Sequence, residues 1–183
     1  MPEKMAAKIF GQVIEALICF HEQSIAHRDL KPENLMVLIE EGKEPLCKVI
    51  DFGFAAKAHQ RMKVFCGTPA YMSPEIASNQ TYDGMASDMW AAGIMLYAML
   101  FGYQPFEAAN EADLLRKIQN GKYALPSVYQ IQKTKRDYSP PSGSKTGANT
   151  GRRKRTQLTI QKFNDYPDIE NTALICNLLT DLL

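Results

Sequence analysis

Two short stretches hold the residue types that chemistry needs. In His27-Arg28-Asp29-Leu30-Lys31-Pro32-Glu33-Asn34 a carboxylate, an ammonium and an amide stand within six residues, and Asp51-Phe52-Gly53 brings a second carboxylate seventeen residues beyond Asn34. Two further patterned runs follow, Cys66-Gly67-Thr68-Pro69-Ala70-Tyr71-Met72-Ser73-Pro74-Glu75 and Ser87-Asp88-Met89-Trp90-Ala91-Ala92-Gly93. A carboxylate within hydrogen-bond reach of a hydroxyl can take or orient its proton. Carboxylate and amide oxygens are hard ligands of the kind Mg2+ accepts, and that ion needs only one or two of them from a protein. Each residue taken singly has an ordinary reading: Asp29 can cap a turn, Asp51 can end a strand, and His27 can be a satisfied core histidine. The set, in this order and at this spacing, points to a site.

These stretches need elements to position them. From Met5 to Phe20 the apolar residues Met5, Ile9, Phe10, Val13, Ile14 and Leu17 recur at helical spacing, which predicts an amphipathic helix running straight into His27. Short apolar runs at Leu35 to Ile39 and Cys47 to Ile50 flank Glu41-Gly42-Lys43 and predict a hairpin bordered by the two chemistry-bearing stretches. A second helix is expected from Ser87 to Leu100, apolar nearly all round and so central in the core. A third, amphipathic, runs from Asn110 to Gln119 and stops at Asn120-Gly121. From Gln130 to about Asp165 the texture turns to Lys, Arg, Ser, Pro, Gly and Thr, which predicts a flexible basic insertion at 130–165. Periodicity returns from Thr172 to Leu183. The expected fold class is mainly α with a small β-hairpin, without internal repeats.

Composition narrows the class of molecule. The 183 residues, 45% of them apolar, are enough for one ordinary core. Lys and Arg number 21 against 20 Asp and Glu, so no broad basic field marks a dedicated nucleic-acid binder. Cys19, Cys47, Cys66 and Cys176 lie far apart with no C-x-x-C pair, which argues against structural zinc and a disulfide framework and suits a reducing compartment. The apolar stretch from Trp90 to Phe101 reads as too short to span a bilayer, and no signal peptide opens the chain. A cytoplasmic location is expected, with Arg152-Arg153-Lys154-Arg155 as a weak nuclear address.

The run from His27 to Asn34 matches the catalytic-loop pattern of protein kinases, and Asp51-Phe52-Gly53 and the two later runs match the family in order. The chain thus resembles eukaryotic-type serine/threonine protein kinases over residues 1 to about 128 and again from about 168. The wording is most like the calcium/calmodulin-dependent and AMP-activated-like group. The resemblance implies an ATP- and Mg2+-dependent transfer of a phosphoryl group to Ser/Thr hydroxyls of a protein substrate. It implies Asp29 as the base, Lys31 as the cation on the transferred group, and Asn34 and Asp51 as metal ligands that with Lys31 hold the nucleotide. Met36 falls where the family places the apolar floor under adenine, Glu33 where a basic residue of the peptide is met, and Thr68 beside Asp29 and Lys31. His27, Phe52 and Gly53 are implied as structural, with His27 and Phe52 as core packing between the two loops. Asp88 is implied as the buried carboxylate tying the catalytic-loop backbone to the central helix. Arg28 resembles the arginine that pairs with a phosphorylated activation loop, yet no Ser, Thr or Tyr occurs between Phe54 and Gly67, and Val64 stands where related kinases carry the activating Thr. Ser73 replaces the usual Ala of Ala-Pro-Glu.

The resemblance also sets what is expected to be absent. No G-x-G-x-x-G occurs, and only 26 residues precede His27, so residues 1–183 read as a partial kinase domain: the large, C-terminal lobe with the N-terminal lobe missing, inactive alone. Glu75 would lack the arginine expected after Asp181, and breaking such a pair typically costs about 3–5 kcal/mol. A missing lobe or a regulatory domain is an expected partner, a membrane is not, and nucleic acid ranks far below. Ser139-Pro140 and Thr156 resemble kinase target sites. The alternative is a non-catalytic kinase-lobe module that binds partners as a scaffold, although a scaffold has no chemical need for Asp29, Lys31, Asn34 and Asp51 together.

Overall fold

The alternation of buried and exposed positions begins almost at the N-terminus. In the computed structural model, which describes residues 1–124, Ala6, Ile9, Phe10, Val13, Ile14 and Leu17 form the buried face of helix α1 (Glu3–Glu22). That stripe of alternating three- and one-residue steps is the periodicity seen in the sequence, begun at Ala6 while Met5 is half-buried. Strand β1 (Ile25–Ala26) follows, then the hairpin β2 (Leu35–Leu38) and β3 (Leu46–Val49), strand β4 (Ala56–Lys57), a one-turn α2 (Pro74–Ala77), α3 (Gly84–Phe101) and α4 (Glu111–Asn120). The insertion at 130–165 with its basic run and Thr156, the periodic stretch from Thr172 to Leu183, and Cys176 lie outside the described residues. Cys19, Cys47 and Cys66 are free thiols.

Helix α3 is the centre of the core. Trp90, Ala91, Ala92, Ile94, Met95, Leu96 and Tyr97 are all buried, packed with Phe10, Val13, Ile14 and Leu17 of α1 and with Ile118 of α4. Each large side chain buried in this way contributes about 1.5–3 kcal/mol. The helix begins three residues earlier than expected because the Asp83 carboxylate accepts from Met85 N at 2.9 Å and Ala86 N at 3.1 Å, satisfying two donors of its first turn. This corrects the reading of the segment as too short for a bilayer: at 18 residues α3 has the length and hydropathy to cross one, but 61% of it is buried inside the fold. Helix α4 is capped by Asn110, whose side chain accepts from Asp113 N at 3.0 Å, and it ends at Gly121 in the left-handed region at φ 60°.

The hairpin pairs Leu35 with Val49 and Leu38 with Leu46, and it lies across α1. Gln12 secures it from the helix side. Its Nε2 donates to Pro45 O at 2.8 Å and its Oε1 accepts from Cys47 N at 2.8 Å, so one side chain satisfies an acceptor and a donor on the edge of β3. The second sheet, β1 paired antiparallel with β4 (Ile25 opposite Lys57, Ala26 opposite Ala56), is not visible in the sequence. Two-residue strands have no periodicity to read.

Candidate active site

The turn at Pro32–Asn34 leads directly into β2, and Ile50 N donates to Asn34 O at 2.9 Å, extending the ladder one step past the Leu35–Val49 pair. The register therefore sets Asn34 against Ile50 and next to Asp51. His27, fully buried, reaches the same place from the other loop, with Nε2 at 3.1 Å from Ile50 O. Asp51 has φ 62° and Arg28 φ 67°, both in the left-handed region that non-glycine residues rarely adopt and that clusters at functional sites. At Asp51 the side chain stabilises its own turn, Oδ1 accepting from Gly53 N at 3.1 Å.

Asp88 holds the Arg28 conformation in place. It is 1% exposed, and its Oδ1 accepts from Arg28 N at 2.8 Å while Oδ2 accepts from His27 N at 2.8 Å and faces His21 Nε2 at 2.9 Å. The core helix α3 thus grips the backbone just before Asp29. Sequence reasoning did not find His21, because a single histidine on a helix face carries no pattern.

Asp29 is 6% exposed and surrounded by donors. Oδ1 accepts from Thr68 N at 3.0 Å and Thr68 Oγ1 at 2.8 Å; Oδ2 accepts from Lys31 Nζ at 2.8 Å and Asn34 Nδ2 at 3.2 Å. Lys31 Nζ also donates to Thr68 Oγ1 at 2.7 Å, and Asn34 Nδ2 to Asp29 O at 2.8 Å. Burial is the largest influence on the Asp29 carboxyl and raises its pKa, but the Lys31 and Thr68 hydrogen bonds, the Lys31 charge and the Asn34 bond together outweigh it and hold the group below the ordinary carboxylate value. Gly67 makes this corner possible. At φ 100° it lies where side chains are disfavoured, and a Cβ there would stand 2.7 Å from Arg28 O. The space between Asp29, Thr68 and Asp88 is about 10 Å³, room for at most one water.

The other predicted residues surround this group. Met36, 60% exposed, lies two residues beyond Asn34, on the same side of the hairpin. Glu33 is exposed, and its charge raises the pKa of the Tyr71 phenol after burial itself, which acts first, while the Gln104 amide bonded to that phenol at 2.8 Å lowers it. Arg28 Nε donates to Phe54 O at 2.6 Å. Two expectations are corrected. Phe52 is 46% exposed rather than core, although its ring does pack on His27 of the other loop at 5.2 Å and meets Phe20 edge-on at 5.1 Å. Glu75 is half-buried and has a partner, so it is not the orphaned carboxylate expected.

Among the described residues no three His, Cys, Asp or Glu side chains cluster as a metal cage. Asn34 and Asp51 would supply one amide and one carboxylate oxygen from the two strand ends that the hairpin register brings together, and the Asn34 bonds run from Nδ2, leaving its Oδ1 for another role. This sparse hard-oxygen set fits Mg2+ carried with phosphate and water, and it would not fit a transition metal that needs a full protein cage.

The family model described as protein kinase domain matches residues 1–179. A probable serine/threonine-protein kinase of Saccharomyces cerevisiae, HSL1, is 43% identical over 129 residues, 69% of this chain and 8% of that protein. CBL-interacting protein kinase 15 of Oryza sativa subsp. japonica is 36% identical over 172 residues, 90% of this chain and 36% of its own length. Maternal embryonic leucine zipper kinase of Xenopus laevis is 41% identical over 130 residues, 69% and 19% respectively. The chain thus spans about a third or less of the length of these relatives. The resemblance read from the catalytic-loop and Asp51-Phe52-Gly53 patterns stands on these matches, and the chain belongs to the protein kinase domain family, with serine/threonine kinases as its relatives.

Proposed function

We propose that these residues form the large lobe of an ATP-dependent serine/threonine protein kinase, with Asp29 as its base and Asn34 and Asp51 as its metal ligands. The single observation that carries the reading is the Asp29 carboxylate held by Lys31, Thr68 and Asn34 while the hairpin register sets Asn34 beside Asp51. When bound, ATP with Mg2+ supplies the phosphoryl group and neutralises the charge on its oxygens.

The chain's own residues then have distinct tasks. Asp29, kept ionised by its neighbours, orients the substrate hydroxyl and takes its proton. Its four acceptor positions are all engaged, so the hydroxyl enters by displacing one donor, and Lys31, whose side chain is 21% exposed where Asn34 is 5% exposed, is the one with room to swing away. Once displaced, the Lys31 ammonium sits beside the reacting group, where it offsets negative charge that grows in the transition state. Thr68 holds the carboxylate from the opposite side through backbone and hydroxyl. The exposed Met36 offers a polarizable face to a planar base, and the Glu33 carboxylate suits a basic residue of the peptide.

No G-x-G-x-x-G occurs in the sequence, so full activity calls for a Gly-rich loop and a strand lysine from polypeptide outside these 183 residues. The test is phosphorylation of a basic Ser/Thr peptide by a polypeptide that includes such a segment and this chain. Asp29→Asn is expected to lower kcat by about 10²- to 10⁴-fold. Transfer that persists in Asp29→Asn overturns the assignment of the base. A complete, folded polypeptide without any transfer favours the scaffold reading instead.

A further inference from the structure

The segment from Phe54 to Gly67 contains no serine, threonine or tyrosine, so it offers no hydroxyl for phosphorylation. It is nevertheless tied down at successive points. Arg28 Nε donates to Phe54 O, β4 pairs with β1, and Ala58 N donates to Ser24 O at 2.8 Å. Met62 and Tyr82 then exchange both backbone hydrogen bonds, at 2.8 and 3.0 Å, and Tyr82 Oη donates to Val64 O at 3.0 Å. Ala58 is buried and Met62 packs against the buried Met72, Ile76 and Tyr82, but side-chain burial does not hold the next three residues, since Lys63, Val64 and Phe65 are exposed, the last two at 58% and 48%.

Tyr82 differs from the segment it holds: at 2% exposure it is one of the most buried side chains. Its hydroxyl meets the Arg28 guanidinium and lies 3.8 Å from Cys66 Sγ. Burial is the largest effect on the phenol and raises its pKa, so the hydroxyl keeps its proton and stays a donor at neutral pH. Arg28 and Tyr82 thus join the catalytic loop, the segment and the approach to α3 in one small cluster.

We propose that Tyr82 is a positioning residue: its buried hydroxyl and its backbone fix Met62 to Val64, so that Thr68 is presented to Asp29 without phosphorylation of the segment. The purpose of that hold rests on the kinase reading above, but the hold itself can be measured without catalysis. Amide hydrogen exchange on the whole unphosphorylated chain is the experiment. In the wild type the Met62 and Tyr82 amides are expected to be protected relative to an unstructured peptide of the same sequence. Tyr82→Phe, which removes only the hydroxyl, is expected to speed exchange over residues 61–66 by about 3- to 10-fold while leaving the Ile9 to Leu17 amides of α1 unchanged. Val64→Ala keeps the accepting carbonyl and should behave as wild type. In an active polypeptide, Tyr82→Phe should raise KM for the peptide and leave KM for ATP unchanged. Unprotected Met62 and Tyr82 amides in the wild type overturn the proposal even if Tyr82→Phe does not fold, as does identical exchange in a folded Tyr82→Phe. A protected segment in a complete polypeptide that transfers no phosphate overturns the kinase reading and leaves the hold standing.

Discussion

Asp88 allows the grip of the core on the catalytic loop to be measured. Its carboxylate, 1% exposed, accepts from His27 N and Arg28 N at 2.8 Å each and faces His21 Nε2 at 2.9 Å. Asp88→Asn keeps the shape and converts one acceptor into a donor. The better amide orientation leaves the oxygen toward His27 and His21 and turns the NH2 toward the Arg28 N–H, two donors face to face. Orphaning that buried backbone donor costs about 1–3 kcal/mol, and weakening two charge-assisted bonds adds about 1–2 kcal/mol. A neutral amide is cheaper to bury than a carboxylate, which offsets part of this and puts the expected loss near about 2 kcal/mol. Against a typical total of about 5–15 kcal/mol this lowers the melting temperature by about 4–8 °C. Asp88→Ala, which orphans both backbone donors, should be worse still. Urea titrations with linear extrapolation on the three proteins measure the series, and the Arg28 amide should exchange faster in Asp88→Asn. An Asp88→Asn protein within about 0.5 kcal/mol of wild type, or an Asp88→Ala protein no worse than it, would refute the argument from buried donors.

Three other outcomes follow from the site. The Asp29 carboxyl should titrate below 3.8 by NMR, and Lys31→Met should move its midpoint upward; because the folded value is lowered, the stability it contributes is complete above the unfolded value and is lost as pH falls through the folded one. Gly67→Ala should cost at least about 2 kcal/mol in denaturant titration, since φ 100° disfavours any side chain and the new Cβ meets the Arg28 carbonyl at 2.7 Å. Ser73→Ala should be neutral or stabilising by up to about 1 kcal/mol in a thermal melt, because the Ser73 hydroxyl is buried without a hydrogen-bond partner among the described residues.

How much of this was legible beforehand depends on how local each determinant is. The faces of α1 and α4 and the Asn110 and Gly121 caps follow from residues within a turn or two of one another, so periodicity and capping chemistry placed them within a few positions. The β2–β3 hairpin closes over a short turn and was equally readable. The order of Asp29, Lys31, Asn34 and Asp51 pointed to the protein kinase family before any coordinate, and the family match over residues 1–179 agrees. Asp83 as the start of α3 was legible in principle, as an N-cap residue before an apolar run, and was passed over.

What the tertiary structure decided is which distant groups meet. Thr68 stands 39 residues from Asp29 and bonds it at 2.8 Å; Gln12 closes on Cys47 across 35 residues, and His21 on Asp88 across 67. No period or propensity encodes such pairs, because each depends on where segments far apart in the sequence come to rest against one another. Phe52 shows the same limit from the other direction: the resemblance implied a core-packing residue, and the structure packs its ring on Phe20 and His27 yet leaves it 46% exposed. Sequence by itself determined the residue types and the local elements, since those are set by interactions over a few residues. The partners of each polar group were set by packing, since a hydrogen bond forms only where the folded chain brings donor and acceptor within about 3 Å.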